Sequence, residues 1–291
     1  MQFIRYRKVW YLISLLIIIP GLISFALQGL NLGIDFKGGN MLEVEFSKPV
    51  SISELRSTVE NLNNSAQIQE AGENSYILRT SELSEEETHM FIQSLEEKFG
   101  EMTIDRNERV SGTIGKELTM KATYALIIAA VLMIIYITFR FEFFFGIAAV
   151  TALVHDVLIM IGIFSLFQIE VDNTFIAALL TIIGYSINDT IVIFDRIREN
   201  LKNMKKESIE HIVDVSVNQT LLRSITTSLV VVIGLVSILA LGGDTTKTFA
   251  TAMLIGTIAG AYSSIFCASP LWYDIKKAMG NKKHHSHTST R

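Results

Sequence analysis

The chain has 291 residues, 49% of them hydrophobic, and its mean hydropathy is +0.39. This composition is too apolar for an ordinary soluble domain and indicates an integral membrane protein. The single cysteine, Cys267, excludes an internal disulfide framework and a multi-cysteine metal site.

The net charge of −4 is unevenly distributed along the chain. Residues 29–119 contain 17 acidic and 8 basic residues, a net charge of −9, whereas the remainder contains 12 acidic and 17 basic residues, a net charge of +5. The sequence therefore consists of an acidic segment and a separate membrane part with basic flanks.

The first apolar run covers residues 9–27 and follows a basic N-terminus. A signal peptide is the alternative interpretation, since residues 24–26 resemble a cleavage site. However, the run is longer than the roughly 7–15 apolar residues of a signal peptide, and further spans follow it. We therefore predict that residues 1–28 form a cytoplasmic N-terminus and a retained first transmembrane helix, kinked at Pro20.

Residues 29–119 contain no apolar run of span length. Their patterns predict strands at residues 41–46, 66–71, 76–79 and 101–110, with a turn at residues 72–74. Helices are predicted at residues 51–63 and 84–99, and capping motifs open them at Ser51–Glu54 and at Ser84 with Glu87. The order β-α-β-β-α-β suggests a small ferredoxin-like α+β domain.

Five further apolar runs predict transmembrane helices at residues 122–139, 146–167, 175–194, 224–241 and 249–270. Residues 113–121 are interpreted as an amphipathic lead-in to the first of these runs. Residues 120–273 then form a helical bundle, and residues 274–291 form a disordered cytoplasmic tail. For the three histidines of the tail, weak metal binding is the alternative to disorder; they are His284, His285 and His287.

Basic residues occur in alternate loops of the predicted spans. They are Arg5, Arg7, Lys8, Arg140, Arg196, Arg198, Lys202, Lys205, Lys206, Lys276, Lys277, Lys282 and Lys283. The loop at residues 168–173 has only acidic charges, and the loop at residues 242–248 has a single lysine, Lys247. By the positive-inside rule, both termini are cytoplasmic and residues 29–119 lie outside.

The fourth predicted span contains an acidic residue, Asp189, near its end. Three polar residues share its helical face, while the opposite face is Ile, Leu and Phe; they are Thr181, Tyr185 and Asn188. An aspartate at the centre of a membrane helix costs about 2.5–3.5 kcal/mol on insertion scales. A polar seam that joins helices is the alternative, but we favour a protonatable site on a transport pathway.

Arg223, at the start of the fifth predicted span, is the expected partner of Asp189. Asp189 lies about 21 Å from the outer end of its helix, and the long arginine side chain can reach a similar depth. An aspartate that faces an arginine in a low dielectric is a switchable pair, because protonation of the aspartate releases the arginine. A transmembrane proton gradient can therefore drive a cycle of helix packing.

The third predicted span contains His155 and Asp156, with Asp156 about 15 Å deep in the membrane. A metal pair is not expected, because adjacent helical residues point about 100° apart and we expect no further histidine or cysteine beside them. Helix–helix hydrogen bonding is the expected role of His155. In the sixth span, Gly256 and Gly260 belong to a ridge of small residues that predicts close helix packing.

Five stretches together resemble the SecF family of the bacterial Sec pathway. They are residues 32–39 (LGIDFKGG), 154–158 (VHDVL), 183–200 (IGYSINDTIVIFDRIREN), 218–228 (NQTLLRSITTS) and 263–270 (SSIFCASP). The resemblance covers residues 5–275. It departs from the family pattern at Lys37, where the family usually has threonine.

The resemblance implies an RND-type half-transporter of six helices in the bacterial plasma (inner) membrane, with an extracytoplasmic domain after the first helix. The implied partners are a SecD-like subunit, a SecYEG-type translocon, a secreted polypeptide and membrane lipid; no nucleic acid, cofactor or metal is implied. The complex would use the proton motive force to assist export. By motif, Asp189 is the proton-carrying acid and Arg223 its partner, and we add Asp156 to this proton relay.

An intramembrane aspartyl protease would use Asp156 and Asp189. That chemistry requires two carboxylates about 3 Å apart, whereas the estimated depths of the two residues differ by about 6 Å. The sequence also contains no Gly-x-Gly-Asp motif. We therefore expect no enzymatic activity.

Two non-enzymatic alternatives are a stand-alone RND-like exporter of small molecules and a purely structural membrane subunit. Six helices form only half of an RND pore and the outer domain is small, which favours a heteropartner. In a structural subunit the polar residues would only join helices, and Asp189→Asn would be tolerated.

The distribution of basic loops leads to a test of topology. We predict that cysteines introduced at Ser84 and Ser208 react with an impermeant thiol reagent from opposite sides of the membrane, and that Ser84 is labelled from outside only. Labelling of both positions from the same side would contradict the six-span arrangement.

Overall fold

The computed structural model describes residues 1–63, 66–72 and 74–288. These residues form two compact units: a membrane unit of residues 1–31 and 126–291, and an α+β unit of residues 32–125. The strands are β1 Asn31–Leu32, β2 Gly39–Phe46, β3 Gln67–Gly72, β4 Ser75–Thr80, β5 Met102–Val110 and β6 Glu170–Val171.

The helices vary in length from one turn to nine. They are α1 Arg7–Gln28, α2 Ile34–Lys37, α3 Ile52–Leu62, α4 Glu85–Phe99, α5 Gly112–Arg140, α6 Phe143–Leu166, α7 Asn173–Asn203, α8 Ile209–Leu241, α9 Asp244–Ser263 and α10 Ser269–Thr288. A five-residue π-helix, Ser264–Ala268, joins α9 to α10.

The α+β unit contains an antiparallel sheet with the strand order β3-β4-β2-β5. Alternate residues of β2 enter one core because successive side chains of a strand point to opposite faces; they are Leu42, Val44 and Phe46. Leu55 of α3 and Leu95 of α4 pack against them and are fully buried. The predicted order of strands and helices is therefore present, with element bounds within two residues of the predicted ones.

One of the two predicted capping motifs is correct. In α4 the Ser84 hydroxyl accepts from the Glu87 N–H at 3.2 Å, and the Glu87 carboxylate accepts from the Ser84 N–H at 2.8 Å. The bond from the Ser84 backbone N–H to the carboxylate, and after it the Ser84 hydroxyl, hold the pKa of Glu87 below its ordinary value. Their contribution to stability is therefore present above the ordinary glutamate pKa, and it is lost as the pH falls through the lowered value.

The capping motif predicted at Ser51 is wrong. The Ser51 hydroxyl hydrogen-bonds the Ser53 hydroxyl at 2.7 Å, and it makes no side-chain cap bond to α3. This local partner competes with the backbone N–H of Glu54 for the hydroxyl. In the turn predicted at residues 72–74, Glu73 lies outside the described residues, and Asn74 has a left-handed φ of 65°.

Within the described residues, six helices are long and apolar enough to cross a membrane, which confirms the predicted number of spans. Several of them exceed the predicted apolar runs. The predicted lead-in at residues 113–121 is the start of α5, and α7 and α8 continue well beyond the apolar segments. They continue because the polar residues at these ends include good helix formers such as arginine and glutamate.

The last span is assembled from α9, the π-helix and α10, as one segment from Thr246 to Met279. The backbone of α10 remains helical to Thr288, through the segment predicted to be a disordered tail. The side chains of His284, His285 and His287 lie outside the described part of the chain.

Small residues let the spans of the membrane unit approach closely. A Cβ atom built on Gly21 of α1 would lie 2.6 Å from the Cα of Gly162 in α6. The last span packs equally closely on α7, where a Cβ on Gly256 would meet Ile182 at 2.6 Å and one on Gly260 would meet Ser186 at 2.9 Å. The Gly21–Gly162 contact joins two backbones and leaves no room for a side chain at either position.

Ion pairs join segments at one end of the membrane unit. Arg7 pairs with Asp274 at 2.8 Å, and Arg140 pairs with Asp195 at 2.9 Å. The start of the first span and the end of the last span therefore lie side by side.

The contact between Gly21 and Gly162 leads to a stability test. We predict that Gly21→Ala destabilises the membrane unit by about 1–3 kcal/mol, because overpacking at a backbone contact forces the helices apart. Gly234→Ala is the matched control, since nothing lies within 4 Å of a Cβ built there. Thermal unfolding of the full chain in detergent should separate the two variants, and equal midpoints would contradict the packing described.

Candidate functional site

Among the described residues, two carboxylates lie within the apolar runs of the membrane unit, Asp156 on α6 and Asp189 on α7. They have separate hydrogen-bond partners. Asp189 bonds to α8, whereas Asp156 bonds to α7 and the last span. In the described part of the chain, no hydrogen bond joins the two carboxylates, so they do not form the proton-sharing pair of an aspartyl protease.

Asp189 is half-buried and only half satisfied. Its Oδ1 accepts a hydrogen bond of 2.6 Å from the hydroxyl of Ser224 on α8. Its Oδ2 is buried and has no hydrogen-bond partner within the described residues. An apolar span thus holds a carboxylate oxygen without a donor, an arrangement that favours the neutral form of the group.

Arg223, predicted to face Asp189, is exposed and makes no ion pair within the described residues, although its positive charge acts on Asp189 through space. The buried stripe of α8 explains the difference. Ser216, Thr220, Ser224 and Ser228 recur every four residues and are all buried. Ser224 therefore faces α7, and its neighbour Arg223 points about 100° away. This run of small hydroxyl residues is the sequence signal that identifies Ser224.

The predicted polar face of α7 is only partly turned into the bundle. Thr181 and Asn188 are exposed, and the Thr181 hydroxyl bonds its own helix at Ala177 O. Tyr185 is half-buried, and its hydroxyl, like Asp189 Oδ2, is buried and unpartnered in the described structure. Sequence reasoning missed the polar residues of α7 that are buried most completely: Ser186, Thr190 and Asn200.

Asp156 is the most completely satisfied acid of the bundle, with 1% of its surface exposed. Its Oδ2 accepts from the hydroxyls of Ser186, at 2.6 Å, and Ser263, at 2.9 Å. Its Oδ1 lies 3.0 Å from Nδ1 of His155. The adjacent positions on α6 therefore bond to each other, although their Cα–Cβ directions diverge.

His155 joins α6 to α1 and the last span. Its Nε2 lies 3.0 Å from the Ser14 hydroxyl and 3.9 Å from Cys267 Sγ. The expectation that no cysteine lies beside His155 was therefore wrong. Cys267 belongs to the π-helix, whose extra residue per turn shifts the following side chains around the helix. The described part of the chain holds no group of three or more side chains that could ligate a metal ion.

Comparison with protein families gives two matches. Residues 90–278 match the model of the protein export membrane protein SecD/SecF C-terminal region, and residues 23–50 match the SecD/SecF GG motif. The GG motif includes Gly38 and Gly39, both at positive φ, where β2 begins. Most of the spans and part of the α+β unit therefore fall within known family regions.

Two curated relatives are similar over nearly their whole length. The protein translocase subunit SecF of Sebaldella termitidis is 40% identical over 284 residues, which is 95% of this chain and 92% of that protein. The protein translocase subunit SecF of Thermobaculum terrenum is 41% identical over 290 residues, with 92% of each chain covered.

Solved structures of SecDF have the same fold. The crystal structure of SecDF from Thermus thermophilus matches with a TM-score of 0.87 and 33% identity, and the match covers 95% of this chain and 39% of that one. A second SecDF structure, in a super-membrane-facing form, matches with a TM-score of 0.75 and 32% identity, covering 98% and 40%. The chain spans about two fifths of the length of those SecDF chains. On the family models and these relatives, the chain belongs to the SecF family of protein translocase subunits.

Proposed function

We propose that this chain is the SecF-type subunit of a Sec translocase accessory complex, and that it couples the proton motive force to the export of secreted polypeptides. The observation that carries the proposal is Asp189, a carboxylate inside an apolar span with one hydroxyl donor and one buried, unpartnered oxygen. Ionisable residues within membrane spans mark ion pathways by default.

Protonation of Asp189 changes the interactions of α7 and α8. When the group is neutral, the single bond to Ser224 is sufficient, because burial penalises only the charged form. When the group is ionised, it requires a counter-charge in the low dielectric of the bundle. Arg223 is adjacent to Ser224 on α8 and is exposed in this arrangement. A rotation of α8 about its axis would exchange Ser224 for Arg223 as the partner of Asp189.

The exposed polar side chains of the spans support a heteropartner. Asn188 and Arg223 lie in apolar spans and are exposed, and their side chains make no hydrogen bond within the described residues. Lipid chains cannot supply hydrogen bonds to them. We propose that a SecD-type subunit covers this face, in line with the fraction of the SecDF chains that the present chain matches.

Further parts of the proposal follow from the loops and the α+β unit. The basic loops support a topology in which both termini lie in the cytoplasm of a bacterial cell and the α+β unit lies outside as a ferredoxin-like domain. A SecYEG-type translocon and the secreted polypeptide are the remaining proposed partners. We propose no enzymatic role for the chain.

The central test is Asp189→Asn. We predict that this variant folds and associates with the SecD-type subunit, because asparagine can still accept the bond from Ser224, but that it abolishes proton-dependent export. The measurement is secretion and proton flux in vesicles that contain the complete complex under an imposed gradient. Asp195→Asn on the same helix is the matched control and should retain export. Wild-type rates from Asp189→Asn would refute the proton-carrying role and favour a structural subunit.

Arg223→Ala tests the proposed arrangement in which Arg223 replaces Ser224 as the partner of Asp189. Because Arg223 is exposed and unpaired here, we expect the unfolding free energy to change by less than about 0.5 kcal/mol. We expect export to fail, because an ionised Asp189 then has no counter-charge. The same vesicles give the export rate, and thermal unfolding gives the stability. Normal export, or a large loss of stability, would contradict the proposed exchange of partners.

A further inference from the structure

A second buried cluster, separate from Asp189, gathers polar side chains from four spans. Its members are Ser14 of α1, His155 and Asp156 of α6, Ser186 of α7, and Ser263 and Cys267 of the last span. Each of them is buried, with at most 8% of its surface exposed. The proposed function of Asp189 and Arg223 uses none of them.

The hydrogen bonds around Asp156 suit a carboxylate. Its Oδ2 lies within reach of two hydroxyl groups, those of Ser186 at 2.6 Å and Ser263 at 2.9 Å. Its Oδ1 lies 3.0 Å from Nδ1 of His155, which donates to it when that nitrogen carries the proton. With three donors around two oxygens, the ionised form is the form that this environment solvates.

One neighbouring group is available to balance the negative charge of an ionised Asp156. Among the described residues, no lysine or arginine pairs with it, and its only ion-pair contact is His155 at 3.0 Å. A buried carboxylate without a counter-charge is strongly unfavourable, so the pair is stable when the imidazole is positively charged.

His155 Nε2 can gain a proton without any loss of the hydrogen bonds around it. The Ser14 hydroxyl at 3.0 Å can donate to a neutral Nε2 or accept from a protonated one. When it accepts, its own hydrogen can turn to Cys267 Sγ at 3.3 Å or to the Tyr262 hydroxyl at 3.5 Å. Tyr262 in turn donates to Trp10 O. The hydrogen bonds therefore rearrange by hydroxyl rotation alone.

We propose that His155 and Asp156 form a second proton-binding site of the bundle, in which the proton is held on His155 Nε2 and not on the carboxylate. Binding adds one proton to the Nε2 lone pair and changes the net charge of the pair from −1 to 0. The proton enters or leaves past Ser14. The site goes beyond the proposed function and does not depend on it, since Asp189 has its own partners.

The neighbours of the pair contribute few other titratable groups. The last span presents Cys267 and Tyr262, whereas α1 presents Ser14 and α7 presents Ser186. Tyr11 of α1 turns instead to Asp274, at 3.2 Å. Neither serine titrates near neutral pH, so the ionisable groups gathered here are His155, Asp156, Cys267 and Tyr262.

Nitrogen NMR of the full chain in lipid nanodiscs, labelled with ¹⁵N-histidine, tests the proposal directly. The imidazole shifts distinguish the imidazolium from the two neutral tautomers. Of the six histidines, His155 is assigned as the signal lost in His155→Gln. If that variant does not fold, the signal whose Nε2 shift changes in Ser14→Ala identifies it. We expect an imidazolium at neutral pH in the wild type and a neutral imidazole in Asp156→Asn.

Two controls separate this site from Asp189 and from general packing effects. Asp189→Asn should leave His155 as an imidazolium, so the result is independent of the export assay. Thr190→Ala should also leave it unchanged, since the Thr190 hydroxyl is buried one turn from Ser186 but bonds Ser264. A neutral His155 in the wild type, an imidazolium that persists in Asp156→Asn, or loss of the charge in Asp189→Asn would each overturn the proposal.

Discussion

The membrane unit depends on one constraint: a polar group inside an apolar bundle must find its hydrogen bonds on neighbouring helices. Asp156 meets this constraint most fully, because one carboxylate receives donors from α6, α7 and the last span. Through His155 the same network reaches α1. Since hydrocarbon offers no competing partners, these bonds define how the helices are rotated relative to one another.

Close packing and the polar network are two parts of one arrangement. The bonds of Asp156 require short distances between helices, and glycine provides them at Gly21, Gly162, Gly256 and Gly260. Gly260 packs on Ser186, which is itself a donor to Asp156. In contrast, Asp189 lies against α8 and keeps an oxygen without a donor. The bundle thus has a satisfied carboxylate, Asp156, that bonds to α7 at Ser186, and a half-satisfied one, Asp189, on α7 itself.

Patterns of hydrophobicity in the sequence predict the elements well, but not which side chains meet. The six spans and the order of strands follow from apolar length and alternation, which are local properties. Whether Ser224 or Arg223 contacts Asp189 depends on the rotation of α8 about its axis, because adjacent side chains on a helix point only about 100° apart. Cys267 lies within the predicted sixth span and was overlooked there; the side chains that it faces depend on the π-helix, which breaks the 3.6-residue period. Likewise, the Ser51 hydroxyl bonds the nearby Ser53 hydroxyl and not the backbone N–H group that a helix cap would use.

The length of α7 has a mechanical consequence. Its 31 residues extend about 46 Å at 1.5 Å per residue, whereas the hydrocarbon of a bilayer is about 30 Å thick. Beyond Asp189 the helix continues without interruption for about 21 Å to Asn203. A small tilt of the helix at the depth of Asp189 would therefore produce a larger displacement at its far end, near Asn203.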